Sequence, residues 1–326
     1  MQHGFQGVFV GHHHDDQIET VLKRIFEGAH WSCLVGLTQE TWIDGLRILR
    51  PLLNLTKKEL LKYLEERQLI PFEDSSNSDQ RFLRARMRRT ILPWLNQTFG
   101  KNVQSSVAKL SEDIQEIDHY FDKKITPLID ATKTGPFGSY LDLSKHLFSS
   151  VLEIKYLLRN FCKRYGLNLS REQYRLCAVA IDVGKSNQIF EYGGKKLHID
   201  RKHLFILKEK QNKKEKWIYR INEKITHASK DDSSWKNAWK GECRVKLPTG
   251  DYQVIERKDL PAGSRSLNKW WVNHRVPACI RDIFPIICQN SEIVHEFLTG
   301  KSFFQKEIME ESVEIVCRIS SIQQSC

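Results

Sequence analysis

Gly7-Val8-Phe9-Val10-Gly11-His12-His13-His14-Asp15-Asp16-Gln17-Ile18-Glu19-Thr20 is the stretch on which the fold turns. Its first five residues are a short apolar run ending in glycine, which suits a buried strand of a parallel sheet. Beyond it, Ile18, Val21, Leu22, Ile25 and Phe26 recur at i, i+3, i+4, i+7 and i+8. That spacing predicts an amphipathic helix over residues 15–27, with Gly28 as its C-terminal cap. The histidines and acids therefore lie where a strand gives way to a helix, the place where open α/β sheets bind ligands. Asp16 and Glu19 are three apart and share a helix face. The helix dipole accounts for one or two acids in a first turn, but not for three histidines beside them. A metal site is a second reading of this cluster, although the spacing matches no standard zinc motif.

Working outward, Leu46-Arg47-Ile48-Leu49-Arg50 reads as another strand, stopped by Pro51. Thr56-Lys57-Lys58-Glu59 is a capping box, and Leu60, Leu61 and Leu64 mark the buried face of the helix it opens. Strand, helix, strand, helix is an α/β pattern. After Asn77 the character changes: residues 80–125, 145–165 and 171–182 read as mostly helical. Residues 186–207 read as a hairpin turning at Gly193-Gly194. The run from Lys208 to Lys216 holds five lysines and two glutamates and reads as a solvated linker. The last third carries Trp217, Trp235, Trp239, Trp270 and Trp271, tryptophans whose commonest role is core packing rather than base stacking. The resulting expectation is a partial Rossmann-like parallel sheet in residues 1–98, a helical middle domain in 99–215 and a small α+β domain in 216–326.

The 326 residues carry 51 Lys+Arg against 40 Asp+Glu, a formal net charge of +11. The excess favours a polyanionic partner. No apolar run approaches the roughly 18 residues that span a bilayer. The opening residues have no basic-then-apolar signal pattern, so a cytoplasmic location is expected. Eight scattered cysteines without a C-x-x-C spacing read as ordinary thiols in a reducing compartment.

Gly11-His12-His13-His14-Asp15-Asp16-Gln17-Ile18-Glu19-Thr20, followed by Leu22, Arg24 and Glu27-Gly28, resembles the central motif of the tRNA(Ile)-lysidine synthetases, members of the PP-loop ATP pyrophosphatase group. The resemblance continues in order. Arg50-Pro51-Leu52-Leu53 is similar to the family's strand end, and Phe72-Glu73-Asp74-Ser75-Ser76-Asn77 to its Asp-x-Ser-Asn loop. Phe82-Leu83-Arg84-Ala85-Arg86-Met87-Arg88 resembles its Arg-Asn-x-x-Arg helix, closed by Leu92-Pro93-Trp94-Leu95. Asn268-Lys269-Trp270 and Arg275-Val276-Pro277-Ala278-Cys279-Ile280-Arg281-Asp282 resemble the family's C-terminal domain.

The resemblance implies a definite reaction. ATP adenylates the C2 oxygen of the wobble cytidine of an isoleucine tRNA, and the amine of L-lysine then displaces AMP to give lysidine. It implies Asp16, Glu19 and Arg84 as catalytic residues and His12, His13, Asp15 and Arg88 as substrate-binding ones. Asp16 and Glu19 would hold the ammonium groups of lysine or a magnesium ion, and a carboxylate would take the attacking amine's proton. Arg84 and Arg88 would meet phosphate or transition-state charge. Arg81, Arg86 and Arg89, with Lys269, Arg275 and Arg281 in the tail, would contact tRNA(Ile), whose phosphates add affinity without demanding base identity. No membrane is implied, and a homodimer is left open.

Two departures qualify the resemblance. Ala85 stands where the family has asparagine. The family's Ser-Gly-Gly-x-Asp-Ser loop, whose backbone amides cradle the pyrophosphate, is missing, and only ten residues precede Gly11. The expectation is an N-terminally incomplete member without its ATP loop. Val183-Gly184-Lys185-Ser186 and Thr299-Gly300-Lys301-Ser302 imitate the end of a Walker A loop but lack its first glycine. Two alternatives stay open: a PP-loop enzyme of tRNA thiolation, and a non-catalytic tRNA-binding remnant.

Overall fold

The computed structural model describes residues 5–43, 45–72, 79–208, 217–223, 234–260, 267–303 and 312–319. The chain divides into two compact units, Met1–Lys123 and Lys124–Cys326. The division falls inside one long helix, so each unit is described by itself.

In the first unit, β1 (Val8–Phe9) pairs in parallel with β3 (Leu46–Leu49), with Val8 opposite Ile48 and Phe9 opposite Leu49. A strand not foreseen, β2 (Glu40–Ile43), joins β3 antiparallel, so the sheet order is β1-β3-β2 and the sheet is mixed. The sequence does carry a signal for it. Thr41-Trp42-Ile43 are strand formers, and the following Asp44-Gly45 is a hairpin dipeptide, with Gly45 at φ +80°. Helix α1 (His14–Phe26) follows β1 directly, and α2 (Lys57–Glu66) is opened by the expected box: Glu59 N donates to Thr56 Oγ1 and Thr56 N donates to Glu59 Oε2. Such a cap contributes about 1 kcal/mol.

Next come α3 (Leu83–Arg86), a π-helical turn Met87–Ile91, α4 (Leu92–Phe99) and the long α5 (Val103–Asp130). The buried face of α1, Ile18, Val21 and Leu22, packs with Met87, Leu92 and Val107. The polar part of α1 also anchors chain. The Gln17 amide donates to the Val35 carbonyl (2.7 Å) and accepts from Leu37 N (2.5 Å). Gly36 between them sits at φ +74°, where a Cβ would collide with that amide.

The second unit is α+β. Strands β4 (Lys133–Gly135), β5 (Gly138–Asp142), β6 (Gln188–Tyr192), β7 (Lys195–Asp200) and β8 (His203–Leu207) form an antiparallel sheet ordered β4-β5-β8-β7-β6. Helices α6 (Val151–Arg164) and α7 (Arg171–Asp182) pack on each other, and α7 packs on β6 and β7. The sequence pattern predicts the helices and the β6–β7 hairpin of this region but not the outer strands. Gly138-Ser139-Tyr140-Leu141-Asp142 is buried almost throughout and has no polar face to betray it.

Farther along are β9 (Trp217–Glu223), α8 (Trp235–Ala238), β10 (Glu242–Pro248), β11 (Gln253–Glu256), α9 (Asn268–Asn273), β12 (Pro285–Gln289), β13 (Glu292–Glu296), β14 (Lys301–Ser302) and β15 (Ser312–Ile319). They make antiparallel sheets ordered β10-β15-β9 and β11-β12-β13-β14. One core runs through the unit, joining Tyr140 and Phe205 of the middle region to Trp235, Trp239, Trp271 and Ile315 of the last third. The expected boundary between residues 215 and 216 lies inside this unit, and the linker residues 209–216 lie outside the described residues, as do Glu73–Asn77 and Cys326. Among the described residues every cysteine is a free thiol. Burial pushes Cys162, Cys279 and Cys317 up to about 12, which makes them inert. No described helix is long and apolar enough to cross a membrane.

Candidate active site

The first turn of α1 delivers the acids. Asp16 caps its own helix by accepting from His13 N at 3.0 Å, which fixes one carboxylate oxygen and leaves the other pointing off the helix. Glu19, one turn on, is almost fully buried. Arg88, from the π turn, reaches both: its Nη2 lies 2.7 Å from Asp16 Oδ1 and 3.1 Å from Glu19 Oε2, and its Nε bonds Glu19 Oε1. The bidentate fork suits a guanidinium and no lysine could reproduce it.

Why Arg88 lands there is a backbone matter. The N–H of Leu92 bonds the carbonyl of Met87, one residue beyond the α spacing. One extra residue in a turn rotates the side chains around it by roughly 100° relative to a plain α-helix. Such turns recur at functional sites. The sequence motif held the arginine but carried no sign of the π turn.

Burial raises the Glu19 carboxyl above its ordinary value, and the bonds from Arg88 offset only part of that rise. Burial lowers His12, which keeps its ring neutral. Two carboxylates against one guanidinium leave the floor of the site with negative charge to spare. Around that floor opens a cavity of about 990 Å³. His13, Asp16, Glu19 and Arg88 line its depth, and Lys57, Arg84 and Arg89 supply positive charge on its walls, where Lys23 is paired with Glu27. Among the described residues the Arg84 guanidinium makes no hydrogen bond or ion pair, and its charge is felt by Glu19 and His12. A floor for cations under walls for anions is a place for a zwitterion beside a phosphate.

The remaining expected residues fall elsewhere. His12 stands behind the cluster, where buried Arg50 donates to its Nδ1 at 3.3 Å while also holding the Thr38 carbonyl and Thr41 Oγ1. Arg50, from the Arg-Pro-Leu-Leu stretch, thus ties β3 to the histidine loop. Asp15 accepts from Lys57 N at 2.8 Å, joining α1 to α2, and the same oxygen lies 3.2 Å from His13 Nδ1. Arg81 is paired with Asp79, and Arg86 is exposed and not among the cavity residues. Sequence reasoning missed Lys57, Phe72 and Phe82 as lining residues. Phe72 and Phe82 stand at the starts of two motif stretches, where nothing local marks them as facing a ligand. No group of three or more His, Cys, Asp or Glu side chains is poised to hold a metal ion among the described residues. Asp16 and Glu19 offer oxygen donors of the kind magnesium takes.

In the second unit Lys269 and Arg275 are exposed. The Arg281 guanidinium is committed to the Val276 carbonyl, at 2.7 Å from Nη2. Trp235, Trp239 and Trp271 are buried, and Trp271 Nε1 donates to the buried Glu296 at 2.8 Å. Trp270 is covered on both faces, by Lys301 Nζ at 3.3 Å and by the stacked His274 ring at 3.7 Å.

The chain is similar to known proteins. A model of the PP-loop domain matches residues 1–95. A tRNA(Ile)-lysidine synthase of Protochlamydia amoebophila is 40% identical over 317 residues, which cover 92% of this chain and 69% of that protein. Proteins of the same description from Chlamydia muridarum and Chlamydia trachomatis serovar D are 38% and 37% identical over about half of this chain. The chain spans 52% and 50% of those two relatives.

Proposed function

Because the chain belongs to the tRNA(Ile)-lysidine synthase family, we propose that its first unit carries the lysine-joining half of an ATP-dependent ligase acting on the wobble cytidine of tRNA(Ile). The observation that carries the reading is the Asp16–Glu19–Arg88 cluster flooring a cavity whose walls are basic. In this reading ATP activates the cytidine at its C2 oxygen. The lysine amine forms the new bond to C2 as the bond from C2 to the adenylated oxygen breaks and AMP departs with that oxygen. The amine's surplus proton goes to a carboxylate, for which Glu19, raised by burial, is the better acceptor.

Asp16 would hold the second ammonium, and Arg88 would keep both carboxylates aimed while limiting their repulsion. Arg84 would bind phosphate and the negative charge that grows as AMP leaves. His13 would face substrate, with His12 behind it. A magnesium ion, if brought in with the phosphates, would be held by Asp16 and Glu19 and would neutralise phosphate charge. Arg81, Arg86 and Arg89, with Lys269 and Arg275, would carry tRNA contacts, mostly to phosphate, whereas the expected contact from Arg281 is dropped because its guanidinium holds the Val276 carbonyl.

The test is lysine binding by the whole chain. Labelled lysine should bind saturably, and Asp16→Asn and Glu19→Gln should each weaken it at least tenfold while tRNA(Ile) affinity stays within about twofold. A charge-assisted bond to an ammonium is roughly twice as strong as a neutral one, which is the basis of that expectation. Lysine binding that is unchanged in both variants would remove these residues from the site.

A further inference from the structure

Two aromatic side chains at the cavity serve no visible purpose in folding. Phe82 lines it and remains 57% exposed. Phe72 lines it and is fully exposed. Phe82 also occupies the N-cap of α3, where no side-chain bond caps the helix. Asp, Ser, Thr or Asn would satisfy a backbone N–H there, and phenylalanine cannot. The residue therefore forgoes a cap and leaves a large apolar ring in water. Single exposed apolar residues are ordinary on protein surfaces. Two aromatic rings at the same charged cavity, one of them two residues before Arg84 and six before Arg88, are a narrower observation.

We propose that Phe72 and Phe82 form a stacking platform for the cytosine ring that is to be modified. The inference rests on the proposed function and names how the base is held. A base in an RNA loop can be recognised only when it is splayed out of its own stack, and it then needs a new partner for its faces. Aromatic side chains supply that partner, and every base has a face to offer. The charges nearby supply the rest of the recognition. The basic walls suit the flanking phosphates, and the acidic floor leaves room for an ammonium under the ring. Four tryptophans of the second unit do not compete for the role, since Trp235, Trp239 and Trp271 are buried and Trp270 is covered by Lys301 and His274.

The experiment uses the whole chain and an RNA hairpin carrying the anticodon loop of tRNA(Ile), with fluorescent pyrrolocytidine at the wobble position. Binding to the wild-type chain should quench the probe. Phe82→Leu should abolish most of the quench and weaken the hairpin roughly tenfold, the loss expected for one stacked base. Phe72→Leu should do the same more weakly, and Phe82→Tyr should retain both signals. Both rings are exposed, so unchanged melting curves should accompany these losses. Full quench with Phe82→Leu bound to the hairpin would overturn the proposal.

A titration with AMP supplies the competing arm. If Phe82→Leu loses AMP affinity while the wobble quench persists, the platform belongs to adenine and the proposal falls. A wild-type chain that binds the hairpin without quenching overturns the stacking proposal alone. A wild-type chain that does not bind the hairpin overturns the proposed function with it.

Discussion

The two units differ in where they place their large aromatic side chains and in how they use their buried carboxylates. The first leaves Phe5, Phe9, Trp42, Phe72, Phe82 and Trp94 more than half exposed and gathers its buried carboxylates, Asp16 and Glu19, into one cluster. The second encloses Trp235, Trp239 and Trp271 in a single core and spends the buried charge of Glu296 on holding chain in place. Glu296 shows the second use: it is fully buried, yet it accepts from Trp271 Nε1, Leu298 N and Thr299 N. A carboxylate satisfied by fixed donors is structural. Asp16 and Glu19 instead share one guanidinium at the floor of a cavity, which is the arrangement of a site that a ligand can enter. The difference teaches that burial of charge alone does not mark function; what distinguishes the proposed site is buried charge that opens onto a cavity.

The largest expected effect breaks the cluster. Arg88→Ala strands two buried carboxylates, and removing one partner of a buried ion pair costs about 3–5 kcal/mol. The first unit should lose that much in hydrogen-exchange protection around α1, while the second unit's β12 and β13 keep theirs. Equal losses in both units would mean that the cluster is not local to the first.

A comparable but pH-gated effect belongs to the second unit. Burial lowers His295 to about 4, and its ring sits on β13 with Nδ1 2.9 Å from Ser302 Oγ. An unfolded histidine binds a proton from about pH 6.5 downward, whereas the folded one resists until about 4. Between these values the unfolded state holds more protons, so stability falls as the pH falls. The loss is on the order of 3 kcal/mol across the window. In thermal melts the second unit of His295→Phe should soften less between pH 6.5 and 4 than that of the wild type, after its fixed loss of one hydrogen bond. Identical slopes would sink the assignment.

The smallest effect concerns the exposed cations. Deleting residues 217–326 would strip the shared core from Tyr140 and Phe205, so charge removal is the cleaner probe. Lys269→Ala with Arg275→Ala should weaken tRNA(Ile) several-fold and reduce the log–log salt slope by about 2, one unit for each phosphate no longer neutralised. Arg281→Ala should lower stability more than it changes that slope, because its guanidinium holds the Val276 carbonyl. The opposite pattern would place Arg281 at the RNA and the other two in solvent.

Much of this was legible in the chain. The spacing of Ile18, Val21, Leu22, Ile25 and Phe26 marked the helix, although only the first three are buried and Ile25 and Phe26 are exposed. Thr56 with Glu59 marked where α2 begins, although the expected face of Leu60, Leu61 and Leu64 is not buried. The 171–182 helix and the Gly193-Gly194 turn follow from local chemistry alone, because caps and turns act over three or four residues. Asp44-Gly45 is equally local, and it marks the hairpin that the strand-helix pattern alone does not show. The ordered motifs nominated Asp16, Glu19 and Arg88 as candidates for one site.

Only the tertiary structure decided what those residues do to one another. It put Arg88, 72 positions from Asp16, between the two acids through a π turn that no residue type announces. It turned Asp15 toward α2, set His12 behind the cluster against Arg50, and committed Arg281 to a carbonyl. It also closed both faces of Trp270 and left Phe72 and Phe82 open at the cavity. Local propensity acts between neighbours in sequence, whereas the charge, burial and exposure of a side chain are set by whatever distant chain folds against it. A sequence therefore names the participants of a site well before it says which of them face a ligand.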